Sequence, residues 1–219
     1  MTFVIPEGLS EKLYPVSWLL GHWEGEGIFA VGEHKHEEFK MIADFQTNEN
    51  QDGDNQNASS QNDKDKINYT AKILYKGKDY FSEKGQLSVV GAINEPDTLE
   101  ADSANKDSAN KDSANKSSKP PVFKIDWKLK NSESFETQYS GWVSNGRMEL
   151  DSVAIINSNK SREIFSSKRM YGYVKSDLYY AWDLEQRDLE QSDLEEQTAS
   201  DNPTQLESFL SAILKKEEK

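Results

Sequence analysis

Apolar and polar side chains alternate along most of this chain. From Gly21, a strand puts Trp23, Gly25, Gly27 and Phe29 on one face and His22, Glu24, Glu26 and Ile28 on the other. The same period of two runs through Glu38–Gln46, Ile67–Tyr75 and Asp79–Val90, then Val122–Lys130, Phe135–Val143, Arg147–Ile156, Arg162–Val174 and Asp177–Trp182. Val122–Lys130 is the cleanest: Phe123, Ile125, Trp127 and Leu129 alternate with Lys124, Asp126, Lys128 and Lys130. One dry face and one wet face mark an antiparallel sheet. Short breaks join several of these strands, among them Lys76-Gly77-Lys78, Ser144-Asn145-Gly146 and Lys175-Ser176, and Asn-Gly is a strong hairpin signal. Consecutive hairpins give an up-and-down meander.

Two stretches read as helix. Ser10 is placed to cap a short helix over Glu11–Leu13, which Pro15 would end. Near the C-terminus Asn202 and Pro203 suit a helix start, and Leu206, Phe209, Leu210, Ile213 and Leu214 share a helical face, with Lys215 and Lys216 where the helix dipole favours cations.

Three polar segments interrupt the pattern. The first, about 48–66, carries net -3, the second, about 92–121, net -2, and the third, Asp183–Asp201, net -7. They supply nearly all of the formal charge of -13, so the remainder is close to neutral. The second holds Asp-Ser-Ala-Asn-Lys three times from Asp102 to Lys116, a period matching neither helix nor strand. All three read as solvated loop insertions, the last spanning about 184–201, in a single domain covering 1–219.

Composition removes several kinds of chemistry. Without cysteine there are no disulfides or thiolate metal sites. No basic stripe is present for nucleic acid, and no apolar run is long enough to span a bilayer. Met1 to Pro15 lacks the basic and apolar parts of an export signal, so a cytoplasmic protein is expected. A homodimer is compatible with the sequence, with no residue to point at.

The run Trp18-Leu19-Leu20-Gly21-x-Trp23-x-Gly25-x-Gly27 resembles the opening motif of the nitrobindin family. Tyr139-Ser140-Gly141, Gly146 to Leu150, Arg169 to Tyr173 and Leu178-Tyr179-Tyr180 are similar to further parts of it, and Leu206 to Leu214 is similar to its closing segment. The resemblance implies an all-β fold, an antiparallel up-and-down barrel of ten strands of the lipocalin and fatty-acid-binding type, with short helices at both ends. It also implies a cavity that holds haem b in several members, and an activity, isomerisation of peroxynitrite, that runs on the ferric haem. The family's axial histidine stands in a Pro-His-Leu segment whose position here is Phe209, and a benzene ring has no lone pair for iron. Its Tyr-Pro-Thr stretch is replaced by Phe29-Ala30-Val31-Gly32-Glu33.

Three histidines remain. His22 should point outward if Trp23 points inward, and His34 and His36, beside Glu33, Glu37 and Glu38, read as solvated. The resulting expectation is a barrel without orthodox haem ligation and with no cofactor, binding a small hydrophobic ligand, or nothing, near Gly21, Trp23, Gly25, Gly27 and Phe209. No catalytic or metal-binding residue is assigned. Two alternatives stand beside it: a haem protein acting on peroxynitrite or nitric oxide through a non-histidine ligand such as tyrosine, and an interaction module using the acidic repeats.

Overall fold

A computed structural model describes residues 5–30, 36–47, 64–93, 120–157, 162–188 and 207–217. A 3-10 helix, Glu11–Leu19, leads into ten strands: β1 (Gly21–Ala30), β2 (His36–Thr47), β3 (Lys66–Tyr75), β4 (Lys78–Ala92) and β5 (Phe123–Asn131), then β6 (Phe135–Ser144), β7 (Arg147–Asn157), β8 (Arg162–Val174), β9 (Asp177–Asp188) and β10 (Glu207–Lys216). Each strand pairs antiparallel with its neighbour in sequence, and β1 pairs with β10 to close the barrel. Closure gives every strand a neighbour on both sides, the β7–β8 ladder running only from Arg147–Asp151 to Lys168–Gly172. The hairpins at Lys76-Gly77, Asn145-Gly146 and Lys175-Ser176 each hold two successive residues at positive φ, the twist that suits right-handed strands.

The alternation of the sequence is the alternation of the wall. Trp23, Phe45, Tyr69, Trp127, Tyr139 and Tyr171 are all fully buried inside it. Each such side chain contributes on the order of 1.5–3 kcal/mol by leaving water. The 3-10 helix plugs one end with Leu13, Val16, Trp18 and Leu19. Trp23 lies just above that plug, its indole N–H donating to the carbonyl of Leu19 at 2.7 Å.

The expected C-terminal helix is a strand. Glu207–Lys216 forms β10, with Leu210, Ala212 and Leu214 buried and Ile213 and Lys215 outward. The apolar positions fit a period of two as well as 3.6, once a bulge between Ser208 and Leu210 lets Phe209 and Leu210 both turn toward the core. Without β10, β1 and β9 would each expose an edge, and completing both outweighs a modest helix preference. Gly25 marks how tightly β10 docks: a Cβ there would stand 2.0 Å from the carbonyl oxygen of Ile213.

Two boundaries also move. Ser10 makes no side-chain cap, and Pro15 lies inside the 3-10 helix rather than ending it; the Ser10 hydroxyl donates instead to Asp65 at 2.6 Å. β9 continues to Asp188, with Leu184 buried, so the third polar segment begins later than its composition suggested. The rest of the three expected loop insertions lies largely outside the described residues.

Candidate functional site

The barrel end opposite the 3-10 helix is its mouth. An enclosed cavity there measures about 20 Å³ and is lined by Phe29, Ile73, Tyr80, Phe81, Phe209 and Leu210, among others. Tyr80 is half-exposed and stacks on Phe29 with centroids 5.5 Å apart. Phe209, half-buried, sets its ring edge-on to Trp182 at 5.0 Å. Trp182 in turn carries the Arg169 guanidinium over its ring, 4.2 Å from the centroid.

Arg169 is the centre of a buried polar cluster. Its terminal nitrogens donate to both carboxylate oxygens of Glu83, each at 2.7 Å, the fork-on-fork geometry that suits a guanidinium. It also donates to the hydroxyls of Tyr180 at 2.8 Å and Tyr139 at 3.0 Å. Tyr69 donates to Glu83 at 2.8 Å. The Tyr139 hydroxyl also meets the Ser167 hydroxyl, 2.7 Å away, and the Ser167 oxygen accepts from the indole N–H of Trp182 at 2.8 Å. Burial by itself would lower the arginine pKa, but Glu83, Tyr139 and Tyr180 hold it well above its ordinary value. Burial, reinforced by Glu83, pushes the Tyr69 phenol well up, so it stays a proton donor. The cluster leaves about 10 Å³ of free space beside it.

The alternation of the strands held a signal for this cluster. Glu83 falls in phase with Phe81 and Leu87 on β4, and Arg169 in phase with Ser167 and Tyr171 on β8. A charged residue on the dry face needs a partner, and the two are of opposite sign.

The residues grouped from the sequence separate. Trp23 and Gly21 sit at the plugged end, with Tyr173 6.3 Å from the Trp23 ring, whereas Phe29 and Phe209 sit at the mouth. Six residue steps along β1 separate Trp23 from Phe29, roughly 20 Å. Gly25 and Gly27 lie between and serve contact with β10, where Gly27 faces Ala212. They do not share a cavity with Phe209.

The histidines are equally plain. His22 is on the outer face, its Nδ1 2.7 Å from Asp44 and its Nε2 3.3 Å from Glu24. His36 is exposed, and His34 and Glu33 lie outside the described residues. Among the described residues, no imidazole reaches the interior.

This donor set and this space do not fit a haem. Position 209 offers a phenyl ring, and cavities of about 20 and 10 Å³ hold one water or less, against roughly 300–1,000 Å³ for small-molecule sites. A wider cleft of about 720 Å³ lies along Ile28, Ile213, Tyr179, Met170 and Val174. Ile28, Ile213, Tyr179 and Val174 are solvent-exposed, on the outside of the wall.

Residues 12–216 match the family model described as THAP4-like, heme-binding beta-barrel domain. Among curated relatives, the peroxynitrite isomerase of Clavibacter sepedonicus is 26% identical over 191 residues, covering 82% of this chain and 89% of its own length. That of Renibacterium salmoninarum is 25% identical over 226 residues, covering 99% and 94%. The crystal structure of Rv2717c from M. tuberculosis superposes with a TM-score of 0.59 at 18% identity, covering 96% of this chain and 99% of that one, which supports the fold. No helix among the described residues is long and apolar enough to cross a membrane.

Proposed function

Because the chain belongs to the THAP4-like, haem-binding β-barrel family, we propose that it is a haem-independent member, a binding barrel that takes a small apolar molecule at its mouth and does not carry haem-dependent chemistry on peroxynitrite. The observation that carries this reading is the stack Phe209–Trp182–Arg169, which occupies the inner end of the mouth with side chains. The Glu83 pair satisfies the guanidinium, so the stack needs no ligand to be stable. Apolar binding then involves only the outer part of the mouth, between Phe29, Tyr80 and Phe209, and rotation of Tyr80 toward solvent admits the ligand.

Titration of the purified chain with haemin tests the first half. The expected spectrum is the broad absorption of unligated haem with no equivalence point; a sharp Soret band saturating at one haemin per chain would overturn the reading. Titration with 1-aminoanthracene tests the second half: saturable fluorescence enhancement is expected, with Tyr80→Ala binding several-fold tighter. Enhancement that Tyr80→Ala and Phe209→Ser both leave untouched would place the ligand elsewhere.

A further inference from the structure

On the outer face of the wall, behind Trp23, three side chains converge, and we infer that they form a site for a divalent transition-metal ion, with Zn2+ the ion its ligands suit. The ligand atoms are His22 Nε2, a carboxylate oxygen of Glu24 and one of Glu217, all within 4.8 Å of one another. His22 and Glu24 project from the same face of β1, two residues apart, where strand geometry holds them in parallel. Glu217 follows β10 directly and is held there by its own N–H, which donates to the His22 carbonyl at 3.0 Å.

Asp44, opposite His22 on β2, sits 2.7 Å from Nδ1. A carboxylate on one ring nitrogen fixes the tautomer with its proton there and aims the lone pair of the other outward, the arrangement that orients metal-bound histidines. That lone pair faces two carboxylate oxygens, at 3.3 Å from Glu24 and 3.9 Å from Glu217. In the tautomer with the proton on Nδ1, three acceptors face one another, and a cation between them would satisfy all three. A second ring proton can satisfy one carboxylate, but 3.9 Å is beyond a hydrogen bond. With metal–ligand distances of about 2.0–2.2 Å, the edge of a tetrahedral site is roughly 3.3 Å, so Glu24 is already in place. Glu217, more than half exposed, closes the remainder by a small side-chain movement. Lys40 holds the other oxygen of Glu24 and leaves the first one free. One nitrogen and two oxygens suit zinc or cobalt better than calcium or magnesium, which take oxygen ligands alone. A cleft of about 350 Å³ opens beside the site between Leu20, Gln46 and Glu7, leaving the fourth position to water or a small ligand.

The test uses the full chain, stripped with a chelator and titrated with Co2+ at neutral pH. One equivalent should bring up the visible d–d bands of a four-coordinate ion, and Zn2+ should bleach them. His22→Ala and Glu217→Gln should each weaken binding at least tenfold, and Asp44→Asn about 10–100-fold through loss of ring orientation. The double variant His34→Ala/His36→Ala should bind as the parent does. His22, Asp44 and His36 lie on the outer face and Glu217 beyond the last strand, and near-UV circular dichroism checks that each variant keeps its fold. The proposal fails if no saturable band appears, if His22→Ala or Glu217→Gln binds undiminished, or if only the His34/His36 variant loses the band.

Discussion

Two charged clusters stand on opposite faces of the same wall, and burial sets them apart. Inside, Glu83 and Arg169 are each almost wholly shielded and meet through two parallel hydrogen bonds. Outside, His22, Glu24, Asp44 and Lys40 make contacts of similar length, yet their side chains remain from one fifth to one half exposed. Water and salt weaken every attraction in the outer cluster, so it adds little to stability and is left free to bind ions. The inner pair has no such freedom. Its charges cannot be separated without leaving one of them stranded in a dry core.

The largest expected effect follows from that. Arg169→Leu should destabilise the protein by about 3–5 kcal/mol, because it strands Glu83 without its counter-charge. The double variant Glu83→Leu/Arg169→Leu should recover part of the loss, since an apolar pair of similar volume removes the stranded charge but takes hydrogen-bond partners from the Tyr69, Tyr139 and Tyr180 hydroxyls. Urea denaturation of both, at matched m-values, checks this. If Arg169→Leu costs less than the outer substitutions below, burial is not what separates the two clusters.

Next in size is Gly25→Ala, which tests the wall between them. A methyl group there meets the backbone of β10, which cannot yield as a side-chain tip would. A loss of about 1–3 kcal/mol is expected from thermal or urea unfolding, the range for overpacking.

A smaller effect of opposite sign separates satisfied from unsatisfied hydroxyls within the core. Tyr139 both accepts from Arg169 and reaches Ser167, so Tyr139→Phe should cost about 1–3 kcal/mol. Tyr171, equally buried and 4.7 Å from the Tyr180 ring, has a hydroxyl with no hydrogen-bond partner among the described residues. Tyr171→Phe should therefore be neutral or stabilise by up to about 1 kcal/mol. Equal losses in the two variants would mean that the cluster extends to Tyr171.

How far these regions could be read from the sequence differs in the same way. Nine strands were legible because a period of two is a local property, and within Val122–Lys130 it is unbroken from Phe123 onward. β10 was not, because Leu206, Phe209, Leu210, Ile213 and Leu214 satisfy a helix equally well, and only closure against β1 decides. Phe209 was assigned a place that the fold makes part of the mouth, but Trp23 and Phe209 were grouped although the barrel sets them at opposite ends. Strand position along an axis is a matter of register, and register between β1 and β10 is fixed by pairing across nearly the whole chain. Glu83 and Arg169 were missed for a simpler reason: each breaks the apolar phase of its strand, and the pairing of the two exceptions is visible only once β4 and β8 face each other.

The smallest effects belong to the outside, and there salt and pH sharpen the comparison. Lys40→Ala removes an exposed partner of Glu24 and should leave the unfolding midpoint unchanged within error. Raising ionic strength from about 0.1 M to about 1 M shortens the screening length from about 10 Å to about 3 Å, so any residual effect of Lys40→Ala should vanish. The loss from Arg169→Leu should persist undiminished over the same range, because ions do not enter the core. Asp65 gives the acid limb of the same contrast. Lys12 and then Ser10 hold its carboxyl below the ordinary range, so its contribution is present above the unfolded-state value and is lost as pH falls through the folded one. Asp65→Asn should flatten that limb slightly in melts recorded between neutral and acid pH. A flat limb in the parent protein would mean that the tether from the 3-10 helix to the start of β3 adds nothing, whereas a steep limb surviving Asp65→Asn would trace to other carboxylates.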